Sequence, residues 1–186
     1  MSDRKQQILE LAADLLQTKG YDSFSYQDLS RELGITKASI HHHFARKEDL
    51  GIALCEWTGD WLTKVYQHID ASTDSAWERL ERYLHGAMSY VEREGKCCPL
   101  AALHNDVVLL PESMQNAMKK VDQVELDWFT KILRLGRERG EFDFEGEPEH
   151  LATLLVMALK GAYAYNHVHG QNFYCNAMKQ FKTLIS

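Results

Sequence analysis

The sequence predicts an all-α protein: an N-terminal head of three short helices followed by a larger helical bundle, about nine helices together. Three observations carry this. Apolar residues recur at helical spacing through most of the 186 residues. The NG and DG dipeptides that mark tight hairpins do not occur. The three prolines, Pro99, Pro111 and Pro148, each stand where the first turn of a helix tolerates one.

The first helix is expected from Ser2 or Asp3 to Thr18 or Lys19, with Ile8, Leu9, Leu11, Ala12, Leu15 and Leu16 at helical spacing and Gly20 as its stop. Ser25, followed three residues later by Asp28, reads as a capping box opening a short helix that turns Leu29 and Leu33 inward and ends at Gly34. Thr36 caps a third short helix to about Phe44, whose apolar positions are Ala38, Ile40 and Phe44. Two short helices joined by so tight a glycine-containing turn cross steeply, and the second of them then projects as a ridge of the size a DNA major groove admits.

A longer helix starts at Lys47 or Glu48 and runs to about Ile69. Further helices are expected over Asp74 to Glu94, Pro99 to Leu109, Pro111 to Arg139, Glu147 to His169 and Phe173 to Leu184. The head is thus residues 1–47 and the bundle residues 48–186.

Charge and composition narrow the classes of function. The net charge of −6 is unlike that of a generic nucleic-acid binder. The acid lies mostly behind the head, and between Thr36 and Lys47 there are Lys37, Arg46, Lys47 and three histidines with no acid at all. No apolar run approaches the roughly 20 residues that a membrane span needs, and the polar N-terminus does not read as a secretory signal. Four cysteines without metal-knuckle spacing suit a reducing compartment, so a cytoplasmic protein with no metal and no cofactor is expected. No nucleophile elbow, phosphate loop or HExxH appears, and an enzyme is not expected.

The run His41, His42, His43 invites a metal-site reading. Successive helical residues point about 100° apart, however, and the i,i+4 partners are Ala45 and Lys47, so the rings fan out and cannot converge on one ion. Solvated or packed helical residues, or groups that meet phosphates and base edges, are the remaining readings.

The stretch ILELAADLL followed by KGYDSFSYQDLSRELGITKASIHHHFARKEDL resembles the DNA-binding head of the TetR family of bacterial regulators. The family pattern is met at Ile8, Ala12, Gly20, Tyr21, Leu29, Leu33, Gly34, Ile35, Ile40, His43, Phe44, Lys47, Glu48 and Leu50. The resemblance implies a ligand-responsive regulator, most often a repressor, that binds a palindromic double-stranded operator as a homodimer and is released by a small-molecule inducer. It implies DNA contacts from Ser25, Tyr26 and Gln27, from Thr36, Lys37, Ala38, Ser39, His41 and His42, and from His43 and Lys47 beside the groove. The family usually has tyrosine where this chain has His41. Histidine donates best when protonated, so operator affinity is expected to depend on pH. The alternative is a helical protein-interaction adaptor that has lost DNA binding.

Behind the head, bundle aromatics such as Trp61, Tyr90, Trp128 and Tyr163 are candidates to line a ligand pocket. The segment KCCPLAALHNDVVLLPESM resembles a cysteine-containing branch of the family, similar to the repressor that responds to N-ethylmaleimide. On that resemblance Cys98 takes the position of the cysteine with which some members sense electrophiles or oxidants, while others bind ligands without thiol chemistry, and Asp106 takes that of the branch's acid. The bland reading of Cys98 is a small buried hydrophobe. The helices over Glu147 to His169 and Phe173 to Leu184 are the dimer surface that the family resemblance implies.

Overall fold

A computed structural model describes residues 3–170 and 172–186, apart from the side chains of Tyr163, Asn166, His167 and Asn172. Among the described residues there are nine α-helices, one 3₁₀ turn and no strand. The helices are α1 (Asp3–Lys19), α2 (Tyr26–Leu33), α3 (Lys37–His43), α4 (Lys47–Ser72), α5 (Ala76–Glu94), α6 (Pro99–Asn105), α7 (Glu112–Glu138), α8 (Pro148–His169) and α9 (Asn172–Leu184).

The caps fall where the sequence puts them. Ser25 and Asp28 form a reciprocal capping box at the start of α2, and Thr36 accepts the Ser39 N–H at the start of α3. Gly34 ends α2 at φ 63°, a left-handed conformation that glycine adopts without the Cβ penalty. The Gly34 N–H bonds back to the Ser30 carbonyl, while the Ser30 hydroxyl donates to the Ile35 carbonyl at 2.6 Å. The three-residue connection to α3 is thereby fixed from both sides.

One boundary differs. The helix expected from Pro99 to Leu109 stops at Asn105 and gives way to a 3₁₀ turn over Val107–Leu109. Two causes are visible. Asp106 turns its carboxylate onto the amide of Tyr21, and Pro111 disfavours helical backbone at Leu110. Val108 and Leu109 consequently stand 89% and 74% exposed.

The chain forms two compact units interleaved in sequence, 1–61 with 96–121, and 62–95 with 122–186. This compact division is distinct from a linear boundary at 47/48. The first unit holds α1 to α3, α6 and the first parts of α4 and α7. Its core is built from Ile8, Leu9, Leu16, Leu29, Ile40, Leu50, Leu54, Leu100, Leu103 and Met114. Ala38, expected as an apolar position, is exposed; α3 is one short helix and needs only Ile40 and Phe44 to anchor it. In the second unit α8 packs on α9, and Leu80, Phe129, Ile132, Leu133, Leu155 and Leu159 form the core. No described helix is long and apolar enough to cross a membrane.

Candidate nucleic-acid interface

The head presents α3 with its polar side outward. Thr36, Lys37, Ala38, His41 and His42 are exposed, and Ser39 and His43 are half-buried. Ser25 and Gln27 are exposed at the start of α2. Ile40 beneath them is fully buried and Phe44 nearly so, which fixes the rotation of the helix about its axis.

The histidines do not converge. His41 lies edge-on to Tyr26 at 4.8 Å, and its Nδ1 is 3.0 Å from the Ala45 carbonyl. A carbonyl can only accept, so Nδ1 carries the proton and Nε2 is left as the outward nitrogen. The His42 and His43 rings meet each other edge to face at 5.3 Å.

Two residues expected to touch DNA, Tyr26 and Lys47, have their side chains engaged within the head. Tyr26 is 9% exposed and its hydroxyl donates to the Phe44 carbonyl at 2.9 Å, tying the start of α2 to the end of α3. Burial pushes its phenol up to about 12, so it stays a neutral donor. Lys47 turns its ammonium toward the α1–α2 turn, donating to the carbonyls of Tyr21 at 2.5 Å and Phe24 at 2.6 Å. The same ammonium lies 4.6 and 4.5 Å from the ring centroids of Tyr21 and Phe24. Burial pulls it below the ordinary lysine range, while Asp22 and Asp28 oppose that shift. The sequence did not reveal this, because a lysine at a helix start reads equally well as a phosphate contact.

Arg46 is also occupied. Its guanidinium pairs with Glu48 at 3.0 Å and Asp49 at 2.9 Å, and its N–H donates to Asp49. The positive face read from the sequence therefore narrows to Lys37 and the histidines.

The expected sensing residues are not brought together within one unit. Cys98 and Trp61 belong to the first unit, Tyr90 and Trp128 to the second, and the side chain of Tyr163 lies outside the described residues. Trp61 is 46% exposed. Cys98 is half-buried at the start of α6. Lys96, the cation two residues from Cys98, is paired with Asp14, and burial pushes the neighbouring Cys97 thiol up.

Trp128 sits in a cluster of aromatic rings. Tyr66 stacks on it at 4.5 Å and 14°, and Tyr83 and Phe129 pack within 5.4 Å of it. Beside this cluster, buried Glu125 accepts from the Tyr83 hydroxyl at 3.2 Å and pairs with Lys160 at 3.2 Å. Asp122 holds the same ammonium at 2.6 Å. Sequence reading missed this polar centre. Its signal was present: Glu125 falls in the inward stripe of α7 marked by Met118, Val121, Trp128 and Ile132.

The short glycine turn, the outward polar side of α3 and its buried Ile40 anchor define a head of the helix-turn-helix class. The sequence model of the bacterial regulatory proteins of the tetR family matches residues 8–54. KstR2 of Mycobacterium tuberculosis, an HTH-type transcriptional repressor, is 32% identical over 92 residues, which are 50% of this chain and 46% of that relative. That match spans about half the length of the relative. The repressor NemR of Escherichia coli is 23% identical over 163 residues, covering 86% and 82% of the two chains. The crystal structure of a TetR-family regulator from Agrobacterium tumefaciens superposes with a TM-score of 0.93 at 25% identity, over 98% of both chains. Residues 8–54 thus form a DNA-binding head of the TetR type, and the relatives named are transcriptional repressors.

Proposed function

We propose that this chain is a homodimeric transcriptional repressor that holds a palindromic double-stranded operator and releases it when a small molecule binds behind the head. The observation that carries this reading is the polar, exposed side of α3 held rigidly by Gly34, Thr36, Ile40 and the Tyr26–Phe44 hydrogen bond. Residues 1–47 serve DNA and residues 48–186 serve ligand and dimer. Ser25, Gln27, Thr36, Lys37, Ala38, Ser39, His41, His42 and His43 meet phosphates and base edges. Tyr26 and Lys47 hold them in place.

For the dimer, the apolar residues that α8 leaves exposed, Leu154, Met157 and Val168, support a two-fold face shared with α9, where Phe173 and Leu184 are exposed as well. Two heads on a two-fold axis read half-sites about one DNA turn apart. For the ligand, the rings around Trp128 with the polar centre Glu125–Lys160 favour an inducer that offers both an apolar face and a polar group. The engaged Lys96 favours such binding over modification of Cys98.

The test is fluorescence anisotropy with a duplex enriched from a random pool by the full-length protein, against a scrambled duplex, across a salt series. Tight sequence-dependent binding that weakens with salt is expected. Equal and weak binding to both duplexes would refute the operator reading and leave the adaptor in its place.

A further inference from the structure

Tyr21 follows Gly20 in the turn between α1 and α2, and it is fastened on several sides at once. Its hydroxyl donates to the Lys47 carbonyl at 2.7 Å, its own carbonyl accepts from the Lys47 ammonium, and that ammonium lies over its ring. Its N–H donates to Oδ2 of Asp106 at 3.1 Å, 85 residues away in sequence. Asp106 is the residue at which α6 ends and the 3₁₀ turn begins.

Just ahead of α6, Lys96 pairs with Asp14 and the Gln17 side chain donates to the Cys97 carbonyl, and both of these links land on α1. The Asp106 carboxylate reaches past the end of α1 to the turn that sets where α2 begins. Water could satisfy a turn amide, so the carboxylate is not needed merely to supply a partner. What it adds is a fixed position: the turn cannot move without either breaking a charge-assisted hydrogen bond or carrying the corner of α6 along.

We propose that Asp106 is a positioning residue for DNA binding: by holding the Tyr21 amide it sets the α1–α2 turn, and through Lys47 and Tyr26 the placement of α2 and α3. This rests on the operator-binding reading above. Asp106 touches no DNA contact itself, so its removal changes affinity and leaves the number of phosphates neutralised unchanged.

The experiment uses full-length protein, wild type, Asp106→Ala and Asp106→Asn, with two readouts. Hydrogen exchange followed over the peptide spanning residues 20–28 reports the turn with no DNA present. Anisotropy with the pool-selected duplex reports affinity and its salt slope. Asp106→Ala is expected to speed exchange in that peptide and raise the operator Kd roughly tenfold with a parallel salt slope, as for the loss of one half-buried hydrogen bond to a charged acceptor. Asp106→Asn keeps an acceptor and is expected to restore most of both. Unchanged exchange in Asp106→Ala overturns the proposal, because the turn is then held without the carboxylate. Faster exchange with unchanged Kd overturns it too, since the turn then does not position the contacts. If the wild type prefers no sequence, the operator reading fails and the proposal falls with it; the exchange result still tells that failure from a failure of the Asp106 contact.

Discussion

Replacing Lys47 with methionine separates two roles that the sequence leaves superimposed. A phosphate contact and a brace for the turn predict different salt dependences. If Lys47 neutralises a phosphate, each head loses about 0.9 from the slope of log K against log salt. If it braces the turn, the slope stays and the intercept moves. The structure favours the brace, with two N–H donors spent on the Tyr21 and Phe24 carbonyls and the charge resting on two rings.

The magnitude follows from those contacts. Hydrogen bonds from a charged donor contribute about 1.5–3 kcal/mol each, and methionine keeps most of the methylene packing while relieving the desolvation of the ammonium. A net loss of about 2 kcal/mol in the stability of the α1–α2 turn is expected. Felt at the operator, a good part of that appears as a rise of roughly tenfold to thirtyfold in Kd. The assay is anisotropy from about 50 to 200 mM salt with Lys47→Met beside Lys37→Ala, whose exposed side chain is a proposed phosphate or base contact. Parallel lines for Lys47→Met and a shallower line for Lys37→Ala are the expected pair. A shallower slope for Lys47→Met, with unchanged thermal midpoint, would refute the brace.

Four further outcomes are expected. Gly136→Ala should destabilise by about 1–3 kcal/mol in thermal or urea unfolding, although alanine is the better helix former. Its Cβ would run into the ring of buried Phe142, whereas Gly86, with nothing within 4 Å, should gain from the same change, and equal shifts would contradict the packing. Lys160→Met should cost about 3–5 kcal/mol by leaving the Glu125 carboxylate buried without its cation, and Lys160→Met with Glu125→Gln should recover part of it. His41→Tyr should change operator affinity at a nearly constant thermal midpoint, because the exposed ring spends Nδ1 on the Ala45 carbonyl and has Nε2 left for DNA, and an unchanged Kd would contradict that contact. The head should lose stability in acid. Ser25 hydrogen bonds and Arg31 hold the Asp28 carboxyl below its usual range, and Arg46 does the same for Asp49. The unfolded chain therefore binds more protons, so the stabilisation is present above the ordinary carboxylate range and lost as pH falls through the lowered values. Thermal midpoints of Asp28→Asn should fall less steeply below about pH 4, and curves parallel to wild type would contradict this.

What was legible in the sequence was local. Caps, glycine stops and the apolar spacing of α1 to α3 are set by residues within four positions of one another, so Ser25, Gly34 and Thr36 could be placed before any contact was known. What was not legible depends on pairs distant in the chain. Lys47 and Tyr26 carry side chains that suit DNA, yet each meets a carbonyl 18 to 26 residues away that no periodicity announces. Glu125 stood in an apolar stripe and could have been noticed, but the distant Tyr83 and Lys160 that satisfy it could not.

The same distinction explains how the head holds α3 as a fixed ridge. That helix has only seven residues, too few to hold itself, since isolated helices shorter than about 12 residues are marginal in water. Its order is borrowed: from Thr36 at one end, from Ile40 in the core, and from Phe44, whose carbonyl is held by Tyr26. Tyr26 in turn stands one residue beyond the Ser25 cap and two beyond Phe24, whose carbonyl Lys47 grips. A displacement of the α1–α2 turn reaches α3 through these hydrogen bonds, while the buried Ile40 and Leu29 fix the rotation of α3 and keep it on the core. Changes to Ile40 should accordingly appear first as lost stability. Changes to Tyr26, such as removal of its hydroxyl in Tyr26→Phe, should appear first as lost affinity for the operator at nearly constant thermal midpoint, because Phe keeps the buried ring and gives up only the bond that registers α2 against α3. A drop of several degrees in the midpoint with unchanged operator Kd would show instead that the bond serves the fold and that α3 is placed by its apolar anchor alone.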